Sequence, residues 1–137
     1  MVCLDGSRGS IRALRTAILF ARQSDATIVG VHSNISQGSP RSFSNPKIKE
    51  EKWLKRTKQI MGFAKDKCKI RRVKFEGIAI AGYNAGNDLA KFANNKKNKI
   101  EQIVIGSQGS GFPKGTFFGS TSNFVVHKVK IPVTIVK

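Results

Sequence analysis

Three glycines and two hydroxyl side chains near the end of the chain have the types and the spacing of a phosphate site. Gly106 and Gly109 follow a β-branched run, and without a Cβ they let the backbone approach a ligand closely. Gly119, Ser120 and Thr121 stand where a helix is expected to begin. Free N–H groups and the positive end of the helix dipole favour phosphate there, and the two hydroxyls are further donors. The segment therefore predicts an anion-binding loop between a strand and a helix.

A simpler interpretation of the same segment is that Ser120 caps the helix and the glycines only turn the chain. Two general nucleotide motifs do not fit it. A P-loop requires lysine where Phe112 stands. A dinucleotide-binding loop would follow the first strand, with an acidic residue about 20 positions later. Lys114, inside the loop, is placed to meet a β- or γ-phosphate, although lysine is frequent throughout the chain.

The net charge of the chain indicates which classes of partner it attracts, but it gives no information about the fold. The chain has 137 residues, with 25 Lys and Arg against 8 Asp and Glu, and a formal net charge of +17. Such a charge attracts polyanions, so a basic nucleic-acid-associated protein stays open as an alternative. No apolar run approaches the roughly 18 to 20 residues that cross a bilayer, and the first residues do not resemble a signal peptide. With two cysteines only, we expect a cytoplasmic protein without a membrane partner, a disulfide framework or a metal site built by the chain.

Short β-branched runs alternate with longer helical patterns, which predicts a parallel sheet covered by helices. The whole chain, residues 1–137, is expected to form one domain. Strands are predicted at Val2–Leu4, Thr27–Ser33, Val73–Ala81, Ile100–Ile105 and Ile131–Val136. Helices are predicted from a cap at Ser10 to Gln23, over Lys47–Lys69, at Asn87–Asn94 and at Ser120–Val129, with a loop over Asn34–Pro46.

The spacing Gly106-x2-Gly109-x9-Gly119-Ser120 resembles the nucleotide-binding branch of the universal stress protein family. The segments "CLDGS", "ATIVGVHS", "GYNAGNDLAKFAN" and "KIPVTIVK" are similar to other parts of that family, so the resemblance covers nearly all of the chain. It implies an α/β fold with an open five-stranded parallel sheet and helices on both faces. The fold is Rossmann-like, of the adenine nucleotide alpha hydrolase type, and its strand order is 3-2-1-4-5.

The resemblance also implies a site for ATP, or for AMP or ADP, with Mg²⁺ accompanying the phosphates. The matching aspartate, Asp5, is expected at the nucleoside, although it is also a plausible cap for the first helix. Ile105 is expected against the base. Ser33 takes a place where the family commonly has a hydrophobic residue facing adenine.

The expected function is that of a nucleotide-dependent module in stress response or signalling. Because the acidic residues are scattered along the sequence, ATP hydrolysis is expected to be slow at most. The resemblance further implies a homodimer through the last strand. A homodimeric interaction module of the same fold that binds no nucleotide is the remaining alternative.

Overall fold

The structure, a computed structural model, describes residues 1–35, 46–110 and 118–137. Its strands are β1 (Val2–Cys3), β2 (Ile28–Ile35), β3 (Phe75–Gly82), β4 (Ile103–Gly106) and β5 (Val133–Val136). Its helices are α1 (Arg8–Ser24), α2 (Pro46–Ile70), α3 (Ala85–Asn94) and α4 (Ser120–Lys128), with a 3₁₀ turn at Lys96–Asn98. Of the loop predicted over Asn34–Pro46, Asn34 and Ile35 belong to β2 and Pro46 begins α2, and the remainder lies outside the described residues.

The five strands form one parallel sheet in the order β3-β2-β1-β4-β5, which confirms the predicted fold class and strand order. Val2 of β1 is the central point, because it lies opposite Gly30 of β2 and Val104 of β4. The chain winds outward from β1 in one direction to β3 and in the other from β4 to β5. The strand order thus reverses between β1 and β4, and such a reversal leaves a crevice at the carboxyl ends of the two strands.

Helices cover both faces of the sheet. On one face, Leu14 of α1 and Ala64 of α2 pack with Val2 and Val104 in a buried cluster. On the other face, α3 and α4 pack against alternate residues of the same strands, in a cluster that includes Val31, Leu89, Ile103, Ile105 and Val125. Among the described helices, none combines the length and the apolar character that a membrane crossing requires.

Most element boundaries differ from the prediction by one to three residues, and two of these differences have a clear local reason. The cap of α1 is Ser7 and not Ser10, because the Ser7 side chain accepts a hydrogen bond from the Ser10 N–H at 3.1 Å. The Ser10 hydroxyl itself donates to the Ser7 carbonyl at 3.0 Å. β4 begins at Ile103 instead of Ile100, since Lys99 closes the 3₁₀ turn with a left-handed φ of 50°.

Candidate functional site

A cavity of about 400 Å³ opens at the carboxyl ends of β1, β2 and β4. Residues on α1, α2 and α3, the segment after β4 and the start of α4 complete its walls. The structure brings eight of the nine predicted site residues to this cavity: Asp5, Ser33, Ile105, Gly106, Gly109, Gly119, Ser120 and Thr121. Lys114 lies outside the described residues.

Asp5 lies just beyond β1 and joins α1 to the glycine segment. One carboxylate oxygen, Oδ1, accepts from the Ser7 N–H at 2.9 Å, and Oδ2 accepts from the Ser110 N–H at 2.8 Å. Burial on its own raises the pKa of Asp5, but hydrogen bonds from Ser7 and Ser110 outweigh it and bring the pKa below its usual value. The carboxylate is therefore ionised at neutral pH, and each oxygen keeps a lone pair for a hydroxyl donor in the cavity. Asp5 is not the cap of α1, because that position belongs to Ser7.

The start of α4 is a ready donor group for an anion. Its first helical hydrogen bond runs from the Asn123 N–H to the Gly119 carbonyl, so the N–H groups of Ser120, Thr121 and Ser122 precede the helical ladder. Gly119 is the N-cap, and no side chain in the described part of the chain caps the helix. The interpretation of Ser120 as a side-chain cap is therefore wrong, and its hydroxyl is exposed at the cavity.

The Gly119 N–H, in contrast, is not one of the free donors. It donates to the Ser107 carbonyl at 2.8 Å. The buried Ser122 hydroxyl reaches the same carbonyl at 3.0 Å and the Gly119 carbonyl at 2.9 Å. These bonds fix the helix start against the end of β4. The Gly119 N–H is therefore not available to an anion, and the N–H groups of the next three residues are the donors that remain for one.

The first two motif glycines are required by neighbouring parts of the protein. A Cβ at Gly106 would lie 2.6 Å from the carbonyl carbon of Gly9, where the first turn of α1 crosses β4. A Cβ at Gly109 would lie 2.8 Å from Oδ2 of Asp5. The close approach that the structure describes is thus to α1 and to Asp5, and the expected approach of a ligand to these glycines stays a prediction.

The wall nearest β2 is largely apolar. Val31, Leu89 and Ile105 line it, and each is at most 4% exposed. Ser33 lies two residues after Val31 and so points to the same face of the sheet, where its hydroxyl donates to Oδ2 of Asp88 at 3.0 Å.

Among the other residues that line the cavity, Arg56 and His32 were not predicted as site residues and have contacts that shape it. Arg56 of α2 donates from Nη2 to the Asp5 carbonyl at 3.0 Å, and it is the one Lys or Arg among the described lining residues. Buried His32 has Nδ1 at 2.7 Å from the Leu4 carbonyl, which ties β2 to the end of β1. In the sequence, Arg56 is one cation in a lysine-rich helix, and only tertiary structure distinguishes it.

Few charged side chains line the cavity in the described part of the chain. Asp5 is their only carboxylate, and both its oxygens already accept backbone N–H groups. The described residues hold no group of three His, Cys, Asp or Glu side chains suited to a metal ion. The cavity thus combines an apolar wall, one fixed carboxylate, one guanidinium and an uncapped helix start.

The sequence profile of the universal stress protein family matches residues 1–137. The chain belongs to the universal stress protein family. No curated protein matches this universal stress protein in sequence.

Solved structures show the same fold. The universal stress protein UspA from Lactobacillus plantarum superposes with a TM-score of 0.84 at 16% identity, over 99% of this chain and 94% of that one. A universal stress protein in complex with cAMP has a TM-score of 0.74 at 25% identity, over 99% and 94%. An Arabidopsis thaliana member with AMP bound has a TM-score of 0.70 at 20% identity, over 100% and 89%.

Proposed function

We propose that this universal stress protein binds an adenine nucleotide, ATP, ADP or AMP, in the cavity at the strand ends. The observation that carries the proposal is the convergence of three groups on one cavity: an apolar wall, an ionised carboxylate and an uncapped helix start. These groups are complementary to a base, a ribose with two hydroxyls and a phosphate, in that order. Related structures bind cAMP and AMP, which supports the adenine class.

Each part of the ligand then has a named partner. The base packs between Ile105, Leu89 and Val31, and the ribose hydroxyls donate to Asp5. The phosphates accept from the N–H groups at the start of α4 and from the hydroxyls of Ser120 and Thr121. Mg²⁺ accompanies the phosphates of ATP, as it commonly does without a protein cage of its own.

Arg56 supplies positive charge at the phosphates, and this role also gives the site a preference for charged nucleotides. Its guanidinium lies at the cavity on an exposed side chain, so it is free to leave the Asp5 carbonyl for a phosphate oxygen. Arg56 thereby substitutes for, or adds to, the phosphate contact expected of Lys114.

The protein is proposed to sense or hold the nucleotide in stress response or signalling, with slow hydrolysis at most. Fast hydrolysis needs a positioned base, and Asp5 is held by two backbone donors beside the proposed ribose. The free, buried thiols Cys3 and Cys68 are compatible with the reducing conditions of a cytoplasm.

Calorimetric titration with ATP, AMP and adenosine, at low and at physiological salt, tests the proposal. We expect ATP and AMP to bind at one site, in a manner that survives physiological salt and that Gly119→Val abolishes by placing a side chain at the phosphates. Arg56→Ala is expected to weaken ATP about tenfold while leaving adenosine unchanged, since one charge-assisted bond is lost. If ligand-free protein binds none of the three compounds, the proposal is wrong.

A second candidate function, association with nucleic acid, is favoured by the surface of α1. Its Arg8, Arg12, Arg15 and Arg22 are exposed on one side of a helix without Asp or Glu, and they form no ion pair with a described residue. They account for four of the eight arginines in the chain and extend over about 21 Å at the α-helical rise. A single nucleotide cannot span that distance, whereas a polyanion can.

The proposed assembly is a homodimer through β5. This strand forms one edge of the sheet, and its four residues Val133, Thr134, Ile135 and Val136 are each half-buried. An apolar edge of this kind favours pairing with a second copy. Dimerisation is compatible with nucleotide binding and also with the alternative in which the dimer is purely an interaction module.

A further inference from the structure

We infer that Ser33, held by Asp88, reads the exocyclic amino group of the base and makes the site selective for 6-aminopurines over 6-oxopurines. The inference rests on the proposed nucleotide site and adds a residue-level account of base choice. It begins from the hydrogen bond in which the Ser33 hydroxyl donates to Oδ2 of Asp88 at 3.0 Å.

The direction of this bond decides what Ser33 offers to a ligand. A hydroxyl has one hydrogen to donate and two lone pairs to accept with. A carboxylate only accepts, so Asp88 takes the hydrogen and leaves Ser33 with its lone pairs toward the cavity that it lines. The matching group on a base is an N–H donor.

Adenine presents an amino group at position 6, and hypoxanthine and guanine present a carbonyl there. A carbonyl oxygen facing the Ser33 oxygen would place two acceptors against each other with no hydrogen between them. A buried polar group left unpaired in this way is a strong basis for rejecting an analogue. The neighbours of Ser33 in the cavity wall, Val31 and Leu89, offer no side-chain polar group that could compensate.

Asp88 occupies a position that the surrounding residues define closely. It lies in the first turn of α3, where negative charge is favoured, and its N–H donates to the Asn84 carbonyl at 2.9 Å. A Cβ at Gly82, the last residue of β3, would overlap the Asp88 carboxylate. Glycine at this position therefore makes the room that the carboxylate needs beside Ser33.

The family resemblance expects a hydrophobic residue where Ser33 stands, so the pair is a feature of this chain's own site. Asp88 does not line the cavity and acts through Ser33, which makes it a positioning residue. The two residues come from β2 and from α3, 55 positions apart in the chain.

The test is the ratio of the dissociation constants for IMP and AMP, which differ in the groups at positions 6 and 1 of the base. We expect the wild-type protein to bind AMP at least about tenfold more tightly than IMP. Ser33→Ala is expected to weaken AMP about tenfold with little change for IMP, so that the ratio approaches one. Ser33→Thr keeps the hydroxyl and is expected to keep the preference.

Asp88→Ala tests the direction of the bond. Without its acceptor the Ser33 hydroxyl is free to rotate and donate, so IMP is expected to gain affinity while AMP loses it. Thr121→Ala, at the proposed phosphate end, is the control and should weaken both nucleotides equally. Thermal melting of each variant identifies those that fold. If Ser33→Ala unfolds, Asp88→Ala keeps the test decisive, because it is also expected to change the ratio of the two dissociation constants.

The outcomes separate this inference from the function on which it rests. If the wild-type protein binds neither AMP nor IMP, and ATP and adenosine do not bind either, the proposed function is wrong and the role of Ser33 falls with it. If AMP binds but IMP binds equally well, or if Ser33→Ala leaves the ratio unchanged, nucleotide binding stands and the role of Ser33 is overturned.

Discussion

The motif glycines differ in what their missing side chain would meet. At Gly106 the neighbour is the backbone of Gly9, which cannot move unless α1 moves with it. At Gly109 the neighbour is the end of the Asp5 side chain, which can rotate. The two glycines belong to one sequence motif but have different roles. Gly106 is needed for the packing of α1 on β4, and Gly109 leaves room for the Asp5 carboxylate that is proposed to bind the ribose.

Alanine substitutions are expected to separate these two roles. Gly106→Ala should lower the free energy of unfolding by about 1 to 3 kcal/mol, the usual range for overpacking a tight contact. Gly109→Ala should change stability less but weaken nucleotide binding, because the Asp5 carboxylate is displaced. Urea denaturation and calorimetry measure the two effects, and equal losses of stability in both variants would contradict this distinction.

The two cysteines provide a test of burial. Burial raises the pKa of the Cys3 thiol to about 12 and that of Cys68 to about 11. Because the thiolate is the reactive form, both thiols should react slowly with a disulfide reagent at pH 8 in the folded protein. In denaturant their pKa returns to about 8.5 and both should react rapidly. Fast reaction of either thiol in the native protein at pH 8 would contradict the burial.

The same shifts fix the sign of a stability effect. Between about pH 8.5 and the raised pKa values, the unfolded chain has released thiol protons that the folded chain still holds. The thiols therefore favour the folded state less and less as the pH rises through this window, and below it their contribution is constant.

At the scale of elements, β-branched runs and helical spacing predicted the order of strands and helices, because burial on both faces of a parallel strand leaves a strong pattern. The boundaries were less accessible to sequence reasoning. Ser7 and Ser10 are both capping residue types, and only backbone geometry shows that Ser7 is the cap. Arg56 and Asp88 lie in helices where charged residues are ordinary, so their approach to Asp5 and Ser33 depends on packing that no local pattern records.

The edge strand β5 has an orientation that a dimer can use. The Ile103 N–H donates to the Pro132 carbonyl and the Ser107 N–H donates to the Val136 carbonyl. The backbone N–H and C=O groups of the even-numbered residues in this segment therefore point toward β4. The backbone groups of Val133 and Ile135 accordingly face away from β4, on the side where pairing with a second copy is proposed.

Light scattering is expected to give a mass of twice the 15.0 kDa of the chain. Val133→Pro should shift the protein toward the monomer, because proline removes an outward N–H and leaves the bonds to β4 intact. Circular dichroism of the same variant checks that the fold is retained. A monomeric wild-type protein at micromolar concentration would contradict the proposed dimer.

At the scale of the whole molecule, the charge of +17 raises the question of whether anions bind to the surface or to the cavity. The proposed nucleic-acid association predicts that a short duplex binds at low salt and that its affinity falls steeply as salt rises. Replacing Arg12, Arg15 and Arg22 by Glu should abolish this binding. The control replaces the exposed Lys91, Lys128 and Lys130 by Glu, which changes the net charge by the same amount as the α1 variant. These lysines lie on or next to α3 and α4, away from α1. Equal losses in both triple variants would show that net charge, and not α1, is responsible.

The measurement that most directly tests the central claim is an amide ¹H–¹⁵N spectrum recorded during titration with AMP at physiological salt. A cavity site predicts saturable shifts that are largest at Ser110, Ser120, Thr121 and Ser122, with the outer face of α1 unaffected. Shifts that follow the arginines of α1 and disappear with added salt would contradict the account, because they would assign the binding to surface charge and not to the cavity.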